Sequence, residues 1–472
     1  MDSSHTSRRP ALAVKVGASA TVLAFLDTTV TNLAVPPVAA EFSVGVTAAA
    51  WVATAYVIPF AAFLAPAGVA ADAAGRARLF RFGVGLFTAC SLVIALAPTF
   101  ELLLVGRALQ GVGAALMTPA SLALILAEVP PERRRAAIGL WSGAGALAAA
   151  AGPALGGVVI EWIDWRAVFC INVPLGVWVV WAARPLRAGD AATRRLPDVL
   201  GSLLIAVAIG ALVLGLSEAP ARGWGSWFVL AAAAVAILAT VGAVRRASSH
   251  EHPGLRIDLL RNRGVAVTTG ISTAYGIALF ATMLLGVLFL VEVWQYSALR
   301  AGLAMTPAAL AAAVVGLGVG RVKVPFPPRR MIAVGATLQA TSSALLALSI
   351  STTPQFLGLW LPVGTLMGIG VGLATVGIST AGATASAPQD FAAVTGLLMA
   401  ARQLGGALGI AVLSVLLVQL DATTAVRPYA GVYWFTTLAS LLALTGAALL
   451  RPVVPHVPTN QPTTPPAKET HR

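Results

Sequence analysis

Leu104-Val105-Gly106-Arg107-Ala108-Leu109-Gln110-Gly111-Val112-Gly113 lies inside an otherwise apolar run from Leu102 to Ala127. About 20 apolar residues suffice to cross a bilayer, so the run is long enough to span one. In lipid each backbone polar group must be satisfied within its own segment, and the span must therefore be a helix. Arg107 costs at least a few kcal/mol there unless it is paired or hydrated. Gln110, at i+3, shares its face. A helix of this kind needs neighbours that supply a partner.

Working outward, similar runs recur along all 472 residues. The expected spans are Leu12–Leu33, Ala48–Ala70, Leu79–Leu96, Leu102–Ala127, Ala136–Ile160 and Val168–Ala183. Then come Val199–Ser217 and Trp227–Val244, and after a longer polar loop Val265–Val291, Gly302–Val324, Met331–Ile350, Phe356–Ala385, Ala393–Leu420 and Tyr429–Leu450. That makes fourteen helices. The first is expected to be retained, because Met1–Pro10 lacks the short apolar core and cleavage site of a removable signal. The composition agrees: 58% hydrophobic, 10% charged, mean hydropathy +0.86. A soluble domain carries about a quarter charged residues. A soluble enzyme, a disordered regulator and a disulfide scaffold are excluded. The two cysteines, Cys90 and Cys170, sit in separate apolar segments and read as packing residues.

The net charge of +13 raises the question of a nucleic-acid partner. Placement answers it. With the N-terminus taken as cytosolic, 25 of the 31 Lys and Arg residues fall on the cytosolic side and 4 on the other, while Arg107 and Arg402 lie within helices. This asymmetry is what the positive-inside rule gives for an even number of helices with both ends inside. No nucleic acid is expected. Trp162, Trp165, Trp224, Trp227 and Trp294 fall near outer boundaries, as an interfacial belt would.

The quoted stretch also has an echo. Gly111, Gly113, Leu116 and Thr118 recur 257 residues later as Gly368, Gly370, Leu373 and Thr375, and the same register carries Pro131 onto Pro388, Gly139 onto Gly396 and Gly152 onto Gly409. Duplication implies an all-α polytopic protein of two six-helix bundles with two extra linking helices. The expected division is a tail at 1–11, a first bundle at 12–184, a linker with two helices at 185–263, a second bundle at 264–450 and a tail at 451–472.

Rare polar groups inside spans mark candidate function. Asp27 lies roughly 18 Å along the first helix from Lys15, followed by Thr28, Thr29, Thr31 and Asn32. Arg402 and Gln403 sit in the thirteenth span, and Glu292 sits near the outer end of the ninth. Burial favours a protonated carboxylate and a nearby cation favours an ionised one. Asp27 facing Arg107 could thus be switched by a proton or by a competing cationic substrate. The plainer readings are a helix-joining ion pair for Asp27 and Arg107, a packing or gating contact for Arg402, and an interfacial residue for Glu292.

Several of these stretches resemble one family. Leu26-Asp27-Thr28-Thr29-Val30-Thr31-Asn32-Leu33-Ala34-Val35-Pro36 resembles the motif ending helix one of the fourteen-helix drug:proton antiporters of the major facilitator superfamily. Gly68-Val69-Ala70-Ala71-Asp72-Ala73-Ala74-Gly75-Arg76-Ala77-Arg78 is similar to that superfamily's loop motif, and Leu104 to Gly113 to its helix-four motif. Gly152-Pro153-Ala154-Leu155-Gly156-Gly157 resembles the end of the antiporter motif, and Trp165-Arg166 through Asn172-Val173-Pro174-Leu175-Gly176 the stretch that follows it. The resemblance covers Val14 to Leu450, with departures at Ala73, Ala77 and Ala148 and a proline-rich second-half loop from Gly320 to Arg330 that lacks the acidic residue.

The resemblance implies a proton-coupled multidrug or antibiotic exporter working by alternating access, in the inner or plasma membrane of a prokaryote, functional as a monomer. It implies proton or substrate coupling at Asp27, Arg107, Gln110, Arg402 and Glu292, and polar cavity lining at Thr28, Thr31, Asn32 and Gln403. A gate motif would comprise Gly68, Asp72, Gly75, Arg76 and Arg78, with Asp72 latching onto a basic group or a helix N-terminus. Gly152, Gly156 and Gly157 would let helix five approach a neighbour, while Pro153 opens its hydrogen-bond ladder. No catalytic residue, metal site or cofactor is expected; the proton gradient supplies the energy and the partners are a small molecule, protons and the bilayer. The chain has no phosphate-binding Gly-Lys-Ser/Thr loop, and its five histidines lie in tails or loops. The rival readings are a carrier dedicated to one metabolite, where two buried arginines against one deep carboxylate would suit an anionic cargo, and a lipid-modifying enzyme or sensor. The last lacks the clustered acidic or histidine residues such chemistry needs.

Overall fold

The computed structural model describes residues 3–186, 198–251, 253–254, 256–319, 326–418 and 426–450. Among them there is no strand. The long helices are α1 (Ser3–Glu41), α2 (Trp51–Ala74), α3 (Arg76–Ala95), α4 (Phe100–Glu128) and α5 (Pro131–Trp162). Next come α6 (Trp165–Cys170 continued by Asn172–Ala182), α7 (Val199–Arg222), α8 (Trp227–Ser249) and α9 (Arg263–Leu288, ending in a π-helical turn Phe289–Val293). The remainder are α10 (Ala298–Val319), α11 (Pro328–Ser349), α12 (Leu361–Ala385), α13 (Phe391–Val418) and α14 (Arg427–Leu449). Thirteen are long and apolar enough to cross a membrane as they stand. The fourteenth, α5, bends by 42° between Gly152 and Leu155. The bend falls at Pro153, whose backbone has no N–H to give.

Two sets of helices repeat one packing scheme. In the first, α4 packs on α2 and α3 and α1 packs on α5; in the second, α12 packs on α10 and α11 and α9 packs on α13. The repeat extends to single atoms. A Cβ at Gly83 would strike the Met117 amide and the Gly113 carbonyl; one at Gly335 would strike their counterparts, the Ala374 amide and the Gly370 carbonyl. The register is 257 residues for α4 onto α12 but 252 for α3 onto α11. A five-residue difference in the connections explains why the sequence showed only helices four and five in register.

The bundles join along two seams, α5 on α10 and α13 on α2. Gly139 lies against the Gly316 carbonyl in one, and Gly396 against the Leu64 carbonyl in the other. All four positions lie in the half of their helices nearest the arginine-rich end. Helix α7 packs on both α2 and α13, and α8 packs on α7. Of the two extra helices, α7 therefore covers one seam and α8 backs it.

Two expectations are corrected here. Trp162 and Trp227 are indeed exposed, but Trp165 and Trp294 are buried, their indole N–H groups donating to Glu41 and to the Ser351 carbonyl. They are packing residues because each found a hydrogen-bond acceptor inside. Of the cysteines, Cys90 is buried but Cys170 faces outward.

Candidate functional site: a sealed charge cluster and a latched seam

Asp27 and Arg107 come from α1 and α4, 80 residues apart, and meet at 2.7 Å between Oδ2 and Nη1. Both are 1% exposed. The rest of the cluster satisfies what the pair leaves over. Arg107 Nη1 also donates to Gln110 Oε1 at 2.5 Å, and its Nε donates to the Val52 carbonyl of α2 at 2.8 Å. Gln110 Nε2 returns to Asp27 Oδ1 at 2.9 Å and reaches Ser91 Oγ of α3 at 2.8 Å. Asn172 of α6 adds a third donor to Asp27, at 3.1 Å. The guanidinium lies 4.5 Å from the Tyr56 ring centre and 5.5 Å from that of Phe169. Five helices contribute to the cluster, and two of them, α4 and α6, donate to the carboxylate itself.

Such saturation is the condition under which a buried pair is tolerable. Each charge loses its water, and only close geometry with extra hydrogen bonds offsets that cost. Asn172, Ser91, Tyr56 and Phe169 went unrecognised as site residues. Asn172 had a signal, being an amide in an apolar segment; Ser91 and the rings had none, since serine and aromatics are ordinary in spans.

The other expected residues divide. Thr28 and Thr31 return their hydroxyls to the carbonyls of Ala24 and Asp27, one turn back. Thr31 is wholly buried, which removes it from any cavity lining; Thr28 and Gln403 are half-buried. The side chain of Asn32 lies outside the described residues. Glu292 is exposed and accepts from the Tyr429 hydroxyl at 2.5 Å, apart from the Asp27 cluster. Arg402 is also apart from it, with its Nε shielded and without a hydrogen-bond partner among the described residues. Gly152 and Gly156 press against Thr29 and Val30 of α1, as close approach requires. Gly157 has open space where a Cβ would stand, so close packing is not its role.

The loop motif forms the latch. Gly75, at φ 99°, turns the chain between α2 and α3 in a conformation other residues avoid. Asp72 accepts from Arg76 at 2.8 and 2.6 Å, and from the backbone amides of Ala393 at 2.7 Å and Ala392 at 3.3 Å. A carboxylate on the N-terminus of α13 meets the positive end of the helix dipole. Arg76 also donates to the Pro388 carbonyl, and the guanidinium groups of Arg76 and Arg134 both lie over the Phe391 ring. Gly68 sits against the Ala392 carbonyl, leaving no room for a side chain. Arg78 is exposed and takes no part in these bonds. Gly320 to Lys323, in the matching second-half loop, lie outside the described residues.

A cavity of about 1020 Å³ lies at the arginine-rich end, lined by Arg263, Arg329 and Arg330 among others. It does not reach the Asp27 cluster, whose geometry is the better guide to function.

Comparison with known proteins agrees with this architecture. A model of the Major Facilitator Superfamily matches residues 17–410. The chain is 32% identical over 409 residues to the methylenomycin A resistance protein of Streptomyces coelicolor, covering 86% of this chain and 85% of that one. It is 32% identical to the tetracenomycin C resistance and export protein of Streptomyces glaucescens (86% and 75% covered), and 33% identical to the multidrug resistance protein Stp of Mycobacterium tuberculosis (84% and 74%). In fold it resembles the proton:xylose symporter XylE, with a TM-score of 0.64 at 15% identity over 93% of this chain and 95% of that one. It also resembles FucP in its outward conformation, with a TM-score of 0.62 at 12% identity over 93% and 98%. The chain belongs to the major facilitator superfamily and is a multi-pass membrane transporter of small molecules, not an enzyme.

Proposed function

We propose that this transporter is a proton-coupled exporter of small amphipathic drugs or antibiotics, operating by alternating access with both termini cytosolic. The observation that carries the reading is the sealed Asp27–Arg107–Gln110 cluster. It is one deep carboxylate, buried and neutralised, whose protonation breaks a bridge between α1 and α4. The names of the resistance proteins it resembles support the cargo class.

The latch supports the cycle. Asp72, Arg76 and the two glycine seams hold the bundles together at the arginine-rich end, the end that the positive-inside rule assigns to the cytosol. Protonation of Asp27 from outside would free Arg107 and Gln110 from α1 and let the bundles rock. Release of the proton inside would reset the bridge.

Everted membrane vesicles are expected to accumulate a fluorescent amphipathic dye when energised, to lose it when an uncoupler is added, and to fail with Asp27→Asn. Wild-type accumulation by the Asn variant would remove Asp27 from the mechanism.

A further inference from the structure

Arg402 stands roughly 17 Å along α13 from Phe391, near the middle of a hydrocarbon core about 30 Å thick. At that depth an arginine needs a partner, and its own bundle offers no anion. Between 264 and 450 the sequence holds three acidic residues, Glu292, Asp390 and Asp421. Glu292 is at the outer end of α9 with Tyr429, Asp390 is bound by Arg256 at the opposite end, and Asp421 follows α13 outside the described residues. The first bundle does not supply one either, because Asp27 is fully engaged by Arg107, Gln110 and Asn172.

Among the described residues Arg402 forms no ion pair, and the polar groups near it are hydroxyls. Tyr275 of α9 lies beside it, with its hydroxyl 2.6 Å from Thr375 Oγ1 of α12. The backbone of Arg402 is clamped against Gly276, which fixes where the side chain starts. Arg402 keeps part of its surface accessible, while its Nε is shielded and unpartnered. A fixed cation at mid-depth, partly accessible and with hydroxyls at hand, is built to receive a carboxylate or similar organic anion. A guanidinium holds such a group through two parallel N–H donors, and in a poorly hydrated site the bond is worth more than on a surface.

We infer that Arg402, with Tyr275 and Thr375, forms the cargo-anion site of the second bundle, so that the exported compounds are organic acids, amphipathic molecules bearing a carboxylate. This deepens the exporter reading and rests on it for direction of transport, but not for binding.

The test uses the full-length protein and two dyes built on one ring system, anionic fluorescein and cationic rhodamine 6G. Fluorescein is expected to raise the melting temperature of the purified wild type, and rhodamine 6G is not. Arg402→Gln is expected to weaken fluorescein binding by about tenfold or more, the loss of a charge-assisted bond. Arg402→Lys should recover part of that binding, and Arg402→Glu should reverse the preference toward rhodamine 6G. The Lys variant also controls for folding, since it keeps the charge and length. The site is overturned if fluorescein leaves the wild-type melting temperature unchanged, or if Arg402→Gln binds it as wild type does. Gradient-driven accumulation of rhodamine 6G without fluorescein binding would overturn this inference and leave the exporter reading standing. Fluorescein binding without gradient-driven movement of either dye would do the reverse.

Discussion

The two bundles share one packing scheme and differ at their buried charges. In the first, Arg107 is neutralised by Asp27 and held by a glutamine, a backbone carbonyl and two rings. In the repeat register the positions of Arg107 and Gln110 become Gly364 and Met367, and Gly364 faces open space. The second bundle carries its own arginine, Arg402, at a position where the first has Gly145, packed against Thr21 and Phe25 of α1. Duplication thus preserved the helix contacts, which depend on small residues and backbone, and let the polar chemistry drift apart. One half holds a satisfied pair and the other an unsatisfied cation. That is the division expected if one half handles the proton and the other the cargo.

The comparison can be broken most forcefully in the first bundle. Arg107→Leu leaves Asp27 buried without its cation, and the expected cost is about 3–5 kcal/mol, seen as a large fall in melting temperature with loss of transport. Adding Asp27→Asn should restore much of the lost stability but none of the proton coupling. Equal melting temperatures for Arg107→Leu and wild type would show that the cluster is not a sealed pair. At the seams, Gly396→Val puts a side chain against the Leu64 carbonyl. It is expected to hold the arginine-rich end apart, raising the labelling rate of a cysteine introduced at Ala393 and abolishing efflux. An unchanged labelling rate would mean that the seam is not needed for closure.

A smaller effect sharpens the role of Asn172. Asn172→Ala removes one donor of several to Asp27, so about 1 kcal/mol of stability is expected to go, with transport slowed rather than lost. The smallest concerns the outer clasp. The Arg166 hydrogen bond, and behind it that of Trp165, hold the Glu41 carboxyl below its ordinary 4.5 despite some loss of hydration. A lowered carboxylate contributes stability above its unfolded value and loses it as pH falls through the folded one. The clasp is therefore expected to be intact at neutral pH and to weaken only below about 4.5. Half-exposed, it is worth under about 1 kcal/mol, measured as the difference in acid melting curves between wild type and Glu41→Gln.

Most of the architecture was legible because a bilayer imposes length and polarity on each span separately, and fourteen apolar runs report themselves one at a time. Asp27, Arg107 and Gln110 were legible for the same reason, as polar groups where lipid tolerates few. Asn172, Ser91 and Tyr56 were not, since their part depends on where α6, α3 and α2 meet α1. Thr31 misled because a hydroxyl in a span satisfies itself on its own helix as readily as it lines a cavity. Trp165 and Trp294 misled in the same way: position near a boundary does not say whether a ring turns to lipid or to protein.

The placement of α7 has one more consequence. It lies along α2 and α13, whereas among the described residues α5 and α10 are both met by the bundle helix α12 and neither extra helix packs there. A transporter with two related halves would otherwise offer two equivalent side doors to the lipid, one at each seam. Here α7 covers one of them. The α5 and α10 flank has no such added helix, which gives this molecule a front and a back.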